Sequence, residues 1–154
     1  EKEPIHDDDD AGTLYERLMK KGAGLVLRTV QAIQHGSFVS TPQPEHVEIK
    51  HAPKIFKETC EIKWDHTSAR IRNFVRGLCP YPAAWMVLAG KNFKVYKVSI
   101  VSHGSQSQKT GEFVTDNKNY LYFKTNDGWI SVDELQPEGK KRMPISDFLR
   151  GNTL

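Results

Sequence analysis

The 154-residue sequence contains little that would equip it for a membrane, an oxidising compartment or a zinc site. No apolar run approaches the roughly 20 residues that span a bilayer, and the acidic N-terminus lacks the basic and then apolar order of a secretion signal. The two cysteines, Cys60 and Cys79, form no C-x-x-C pair, and no histidine pair has zinc-ligand spacing. These absences favour reduced thiols in a cytoplasmic protein without a membrane contact.

Sequence signatures of catalysis are absent as well. There is no G-x-S-x-G nucleophile elbow and no G-x-x-x-x-G-K-[ST] phosphate loop. The six histidines are scattered through predicted loops and element ends, and nothing pairs an obvious general base with a nucleophile. We therefore interpret the chain as a binding module, with no catalytic residue, metal site or cofactor of its own.

Charge is divided unevenly along the chain. The net charge is +3, yet residues 1–49 carry 5 basic and 9 acidic side chains, whereas residues 50–154 carry 17 and 10. This asymmetry indicates that the second part meets a polyanion. Four acidic residues form the run from Asp7 to Asp10, which suits the positive end of a following helix. A metal-binding cluster is the alternative for this run.

Hydrophobic periodicity predicts helices at the start of the chain. Apolar residues at helical spacing indicate two helices near 11–21 and 24–35, angled at the break Gly22-Ala23-Gly24. Prolines and the absence of a clear period predict that residues 36–58 form an extended linker. A further helix is predicted over residues 65–78, with Asp65 or Thr67 as its N-terminal cap.

The remainder is predicted to form short strands and a closing helix near residues 145–149. Alternating apolar residues and turn signals indicate the strands, which are 85–88, 93–98, 112–114, 120–124 and 129–132. Five or six strands with one helix favour a small, partly closed β-barrel of the oligonucleotide-binding (OB-like) type. The fold class is therefore α+β.

Basic residues of the second part are interleaved with aromatic residues. Each lysine or arginine near a phosphate releases a counterion, so affinity for nucleic acid grows with their number. The candidates lie on the linker, on the outer side of the helix, in a late basic run and on a hairpin: Lys50, Lys54, Lys57; Arg70, Arg72, Arg76; Lys140, Lys141, Arg142; Lys91, Lys94, Lys97. Ordinary surface charge is the alternative for each. Aromatic residues are expected in the core rather than as base-stacking platforms: Trp64, Phe74, Trp85, Tyr96 and Trp129.

Five motifs occur in this sequence in the same order as similar motifs in a known protein family. They are DDAGTLYERL (9–18), APKIFKE running to IKW (52–64), IRNF (71–74), PYPAAW (80–85) and LQPEGKKRM (135–143). The ordered set resembles bacterial methionyl-tRNA formyltransferases. In that family the first motif closes the catalytic domain, and the second forms the linker and the entry to the C-terminal domain. The third and fourth match the family's helix and proline-flanked turn, and the last matches its late L-Q-P-x-G-K-K-x-M signature.

The resemblance implies a parent enzyme that moves a formyl group from 10-formyltetrahydrofolate to the methionyl amino group of initiator tRNA. The family's donor site and its Asn, His and Asp catalytic trio lie upstream, and no part of this chain matches them. Residues 1–36 would be the last helices of the catalytic domain, 37–58 the linker, and 59–154 the tRNA-binding barrel. We expect a monomeric piece of a longer protein that is inactive alone, with initiator methionyl-tRNA and the missing catalytic domain as partners.

Site residues follow from the resemblance and from charge. Lys54 and Lys57 match linker lysines that face the tRNA, and Lys140 and Lys141 match the late basic pair, where a structural role is the alternative. Charge and position alone add the rest of the expected set: Lys50, Arg72, Arg76 and Arg142. These contacts would reach the RNA backbone and read few bases.

Two other classes of protein stay open. One is a stand-alone nucleic-acid-binding OB-like domain, and the other is the C-terminal domain of another folate-dependent formyltransferase. The basic linker and the 135–143 motif argue against the latter, because a sugar nucleotide or folate needs no polyanion track. If the first helices pack on an absent domain, an apolar patch should be exposed at Leu14, Leu18, Val26 or Val30.

Overall fold

The computed structural model describes residues 1–45, 48–49, 51–103 and 107–154. Its helices are α1 (Ala11–Gln34), a 3-10 helix (Lys57–Cys60), α2 (Ser68–Leu78) and α3 (Ile145–Arg150). Its strands are β1 (Ala84–Leu88), β2 (Lys91–Val101), β3 (Phe113–Thr115), β4 (Leu121–Lys124), β5 (Trp129–Pro137) and β6 (Met143–Pro144). The predicted α+β class is confirmed. None of the helices in these ranges is long and apolar enough to cross a bilayer.

Helix α1 is a single continuous helix of 24 residues, so the prediction of two angled helices is wrong. Gly22 and Gly24 lie inside it and face open space. A glycine costs about 1 kcal/mol relative to alanine in a helix interior, which weakens a helix without ending it. The helix begins directly after the acidic run, as predicted. The Asp10 side chain caps it by accepting a hydrogen bond from Thr13 N at 2.8 Å.

The strands form one antiparallel sheet in the order β1-β2-β5-β4-β3, with β6 also paired to β5. The register of β2 on β5 shifts between Val95 and Val98, and such an irregularity bends a sheet. Within the described ranges β1 and β3 are the ends of an open path, and the curled sheet is a half-barrel. An OB-like closure is therefore not confirmed. Strand β5 also extends to Pro137, five residues beyond its predicted end at 132, because β2 pairs with it along its whole length.

The core lies between α2 and the sheet. Ile71 and Val75 on α2 are buried together with Leu121, Ile130 and Leu135, and each such side chain contributes about 1.5–3 kcal/mol on burial. The α2 start is fixed by its own cap and by a distant turn. Thr67 caps the helix, and it is one of the two residues, Asp65 and Thr67, that the sequence predicts for this role.

The turn between β4 and β5 holds the other side of the α2 N-terminus. The Asp127 carboxylate accepts hydrogen bonds from Ser68 N at 2.7 Å and from the Ser68 hydroxyl at 3.0 Å. These bonds keep the pKa of Asp127 below its usual range. Helix α2 therefore covers one face of the sheet, and alternate residues of β1, β2 and β5 point to the other face.

Helix α1 buries none of its residues. Leu18, Val26 and Val30 are 48%, 64% and 46% exposed, and Leu14 is half-buried. The predicted apolar patch is therefore confirmed at three of its four positions. The helix contacts the rest of the fold at its first turn, where Gly12 N donates to Cys79 O at 3.1 Å, and it is also tied to the N-terminal segment through ion pairs of Arg17 and Lys21 with Glu3.

Candidate nucleic-acid interface

The end of the linker is attached to the sheet through Trp85 of β1. The Trp85 Nε1–H donates to Lys57 O at 2.7 Å, and Ile62 N donates to Trp85 O at 2.9 Å. The sequence expectation that Trp85 belongs to the core is met in part, since it is half-buried against the core cluster. Its polar edge fixes the backbone of Lys57.

Lys94 lies beside this attachment on the outer face of the sheet. It pairs in register with Trp85 on one side and with Gln136 on the other. Its neighbours Phe93 and Val95 are buried, so the period of two sends the Lys94 side chain outward. The linker and the sheet therefore bring Lys57 and Lys94, 37 positions apart in sequence, to one cleft.

This cleft, which we call the linker cleft, has a volume of about 490 Å³. Its lining includes Phe56, Lys57, Tyr81, Lys94 and Glu138. A second cleft of about 430 Å³ adjoins it and is lined by Lys91 and Lys140, among other residues. The two clefts share four residues, so they form one continuous surface: Asn92, Phe93, Pro137 and Glu138.

The four lysines that line this surface, and Lys54 beside it, are not engaged with carboxylates. In the described part of the chain none of the ion pairs involves Lys54, Lys57, Lys91, Lys94 or Lys140. Lys54 Nζ lies 5.5 Å from the centre of the Phe56 ring. These ammonium groups are exposed and can meet an external anion. We refer to the five residues as the lysine face.

The arginines of the expected site are placed differently. Arg72 donates to Asp7 O at 2.5 Å, and Arg76 donates to His6 O at 2.9 Å and to Asp9 O at 3.2 Å. All three interactions hold the N-terminal segment (residues 1–9) against α2. The guanidinium groups are therefore occupied within the chain.

Arg142 is also bound internally. Its Nε donates to the Glu134 carboxylate at 2.6 Å, and its guanidinium lies 4.6 Å from the centre of the Tyr96 ring. It lines a third cleft together with Arg72, Arg76 and the acidic run. Of the remaining expected residues, Lys141 is exposed and Lys50 lies outside the described residues.

Asp9 of the acidic run is bound within the N-terminal part of the chain. Asp9 is buried and accepts hydrogen bonds from Arg17 at 2.5 and 2.6 Å, and the Arg17 guanidinium holds the pKa of Asp9 well below its usual range. Glu3 pairs with Arg17 at 2.8 Å and with Lys21 at 2.6 Å. Among the residues that the structure describes, no group of three or more side chains could hold a metal ion.

The cysteines are free thiols, in agreement with the sequence. Cys79 is buried and its Sγ–H donates to the Asp10 carboxylate at 3.2 Å. Burial, with a smaller contribution from Asp10, raises the pKa of Cys79 to about 11. A thiol that is protonated at neutral pH is a poor nucleophile, so Cys79 is not activated for nucleophilic attack.

The sequence lists Lys94 among the basic candidates but does not predict that it lies near Lys57. That proximity depends on the contact between Trp85 and the Lys57 backbone. The strand alternation was the available signal, since it predicts an outward lysine on β2. Of the other aromatic residues expected in the core, Trp64 and Phe74 pack partly buried against it, whereas Tyr96 lies outside the core cluster and lines the third cleft. Trp129 is buried, and Trp64 stacks on Phe123 with ring centres 4.1 Å apart.

The open half-barrel, its helix and the basic linker are the features of one class of domain, and a model of that domain family matches this chain. The model described as "Formyl transferase, C-terminal domain" matches residues 54–153, and the chain belongs to this family. Similar curated proteins carry the name methionyl-tRNA formyltransferase. That of Azobacteroides pseudotrichonymphae is 40% identical over 97% of this chain and 49% of its own length.

Other relatives agree with this. The methionyl-tRNA formyltransferase of Phocaeicola vulgatus is 43% identical over 96% of this chain and 48% of its own length. That of Chlorobium limicola is 41% identical over 96% of this chain and 47% of its own length. The chain thus spans about half the length of the curated relatives it matches. The resemblance found in the sequence motifs is confirmed.

Solved structures show the same fold. A variant of HypX from Aquifex aeolicus superposes with a TM-score of 0.65 at 19% identity, covering 96% of this chain and 27% of that chain. HypX in complex with tetrahydrofolic acid gives a TM-score of 0.57 at 21% identity, covering 80% of this chain and 22% of that chain. At these identities the likeness concerns the fold alone.

Proposed function

We propose that this chain is the tRNA-holding C-terminal half of a methionyl-tRNA formyltransferase. The parent enzyme would transfer a formyl group from 10-formyltetrahydrofolate to the methionyl amino group of initiator tRNA, in the cytoplasm. The observation that carries the proposal is the lysine face in a chain of this family: four of its lysines line one surface, and the fifth, Lys54, lies beside Phe56 at its edge. Phosphate contacts of this kind position a nucleic acid with little base reading.

The chain would contribute binding and leave the chemistry to a catalytic domain that it does not contain. Residues 1–36 would pack along that domain and 37–58 would link it to the tRNA-binding unit at 59–154. The exposed apolar side chains of α1 support this division, because an apolar patch of this kind marks an interaction site. The chain alone would then be a monomer without formyl transfer activity, and the folate would bind outside it.

The proposed phosphate contacts are the lysine face together with Lys50 and Lys141. Arg72, Arg76 and Arg142 would act indirectly, since their hydrogen bonds stabilise the N-terminal segment and the connection between β5 and β6 that contains the late basic run. A domain from another folate-dependent formyltransferase is a weaker candidate. A small substrate would leave the lysine face without an anion.

Binding to initiator tRNA tests this proposal. Affinity would be measured at about 50 and about 200 mM salt for the wild type and for Lys57→Ala/Lys94→Ala. Each phosphate contact contributes roughly 0.9 to the slope of log affinity against log salt. We expect the double variant to bind more weakly at both concentrations and to flatten the slope by about 1 to 2.

Lys63→Ala/Arg150→Ala is the matched control, because it removes the same charge from cations that Glu61 and Asp147 already pair. The control should keep a slope near that of the wild type. Equal losses in the two double variants would mean that net charge, rather than the lysine face, attracts the RNA. An absence of binding by the wild type at low salt would overturn the proposed function.

A further inference from the structure

Tyr81 is the most exposed aromatic side chain of the described residues, at 85%. It lies between Pro80 and Pro82 in the turn that joins α2 to β1. The pyrrolidine ring fixes φ in each proline, which limits the backbone freedom of the turn on both sides of Tyr81. None of the aromatic contacts in the described residues involves Tyr81.

Tyr81 forms part of the linker cleft, where apolar and cationic groups are combined. Phe56, which is 54% exposed, lines the same cleft, and so do Lys57 and Lys94. The volume of about 490 Å³ lies within the range of roughly 300–1,000 Å³ that is usual for small-ligand sites. An occupant that matches these groups carries a flat apolar face beside a negative charge.

We propose that the linker cleft binds one unpaired nucleotide of the RNA, with its base stacked on Tyr81 and its phosphate beside Lys57 and Lys94. This rests on the proposed function and adds a base-stacking site to it. Single-stranded sites combine a positive groove with aromatic platforms, because every base has a π-face. An apolar peptide side chain would fill the cleft but would leave both ammonium groups without a partner.

Glu138 also lines the cleft and limits which part of the nucleotide can approach it. A carboxylate repels a second phosphate and accepts a hydrogen bond from an exocyclic amino group. The Gln136 side chain is already used, since its Oε1 accepts from the Tyr96 hydroxyl at 2.6 Å and its Nε2 donates to Lys140 O at 2.7 Å. The cleft therefore stacks any base, with a preference for one that carries an amino group near Glu138.

One single-stranded and one double-stranded RNA probe separate stacking from phosphate binding. One is a single strand of about six nucleotides containing 2-aminopurine, which is long enough for a typical single-stranded site. The other is a blunt duplex. Both would be titrated with the whole chain, as wild type, Tyr81→Leu and the matched control Tyr81→Phe, after thermal unfolding has shown that the variants are folded.

We expect Tyr81→Leu to lower affinity for the single strand about tenfold and to restore 2-aminopurine fluorescence. The salt slope and the duplex affinity should stay unchanged, and Tyr81→Phe should bind like the wild type. If Tyr81→Leu binds the single strand as tightly as the wild type, the stacking site is refuted. The lysine face would still stand in that case if Lys57→Ala/Lys94→Ala weakens both probes. Failure of the double variant to weaken either probe would instead count against the proposed function.

Discussion

Replacing Trp85 with phenylalanine isolates the contact that places Lys57. The phenyl ring retains much of the packing but lacks the Nε1–H that donates to Lys57 O at 2.7 Å. Loss of one such bond lowers the free energy of unfolding by about 0.5–1.5 kcal/mol. The released backbone of Lys57 must then be ordered again on binding, at roughly 1–2 kcal/mol per residue. We therefore expect affinity for initiator tRNA to fall about fivefold, equivalent to about 1 kcal/mol.

The salt dependence distinguishes this effect from a lost charge. Trp85→Phe should keep the wild-type slope because Lys57 remains charged, whereas Lys57→Ala should flatten it by about 0.9. Trp64→Phe is the matched control, since Trp64 stacks on Phe123 and does not line the linker cleft. It should lower stability without lowering affinity. Wild-type tRNA affinity in Trp85→Phe, with unchanged hydrogen exchange over residues 53–62, would refute this reasoning.

Two further predictions concern the N-terminal segment and α1. Gly12→Ala should lower the free energy of unfolding by about 1–3 kcal/mol in urea denaturation, because the added Cβ would lie 2.7 Å from Pro80 Cδ. Gly22→Ala, where a Cβ meets nothing within 4 Å, should be neutral or stabilising, and equal effects of the two substitutions would contradict the model of a tight contact. The second prediction is that stability falls below about pH 4. Arg17 depresses the pKa of Asp9 in the folded state, so the contribution is present above the unfolded value of about 3.9 and is lost as the pH falls through the folded value. The stability difference between the wild type and Asp9→Asn should therefore shrink between pH 5 and pH 2, and a constant difference would disprove the link.

Local signals predicted α2 and the first hairpin. The apolar stripe gave a helix over 65–78, and the structure has α2 at Ser68–Leu78 with Thr67 as its cap. Alternation in residues 93–98 and the turn signal before them correspond to β2 and its hairpin with β1. Each of these features depends on residues that are close together in sequence, so periodicity and turn chemistry are sufficient.

Features that depend on distant partners were not accessible in this way. Closure of the barrel requires two edge strands to meet, which no local pattern reports, and β1 and β3 do not pair in the described residues. The same limit applies to Arg72 and Arg76. Their charge and their position on α2 suggested an anion site, but their partners are backbone carbonyls 65 to 70 positions away.

The attachment of α1 has a mechanical consequence. At 1.5 Å per residue, its 24 residues extend roughly 36 Å from the first turn, where Gly12 touches the turn after α2. A rotation of about 10° at that turn would carry the far end by about 6 Å. A misplacement of 1 Å between reacting groups can cost about a hundredfold in rate. The contact at Gly12 and the ion pairs of Glu3 with Arg17 and Lys21, which tie α1 to the N-terminal segment, therefore set the angle of this long helix together. Under the proposed function, the stiffness of that attachment would set how accurately a domain bound along α1 is aligned with an RNA on the lysine face.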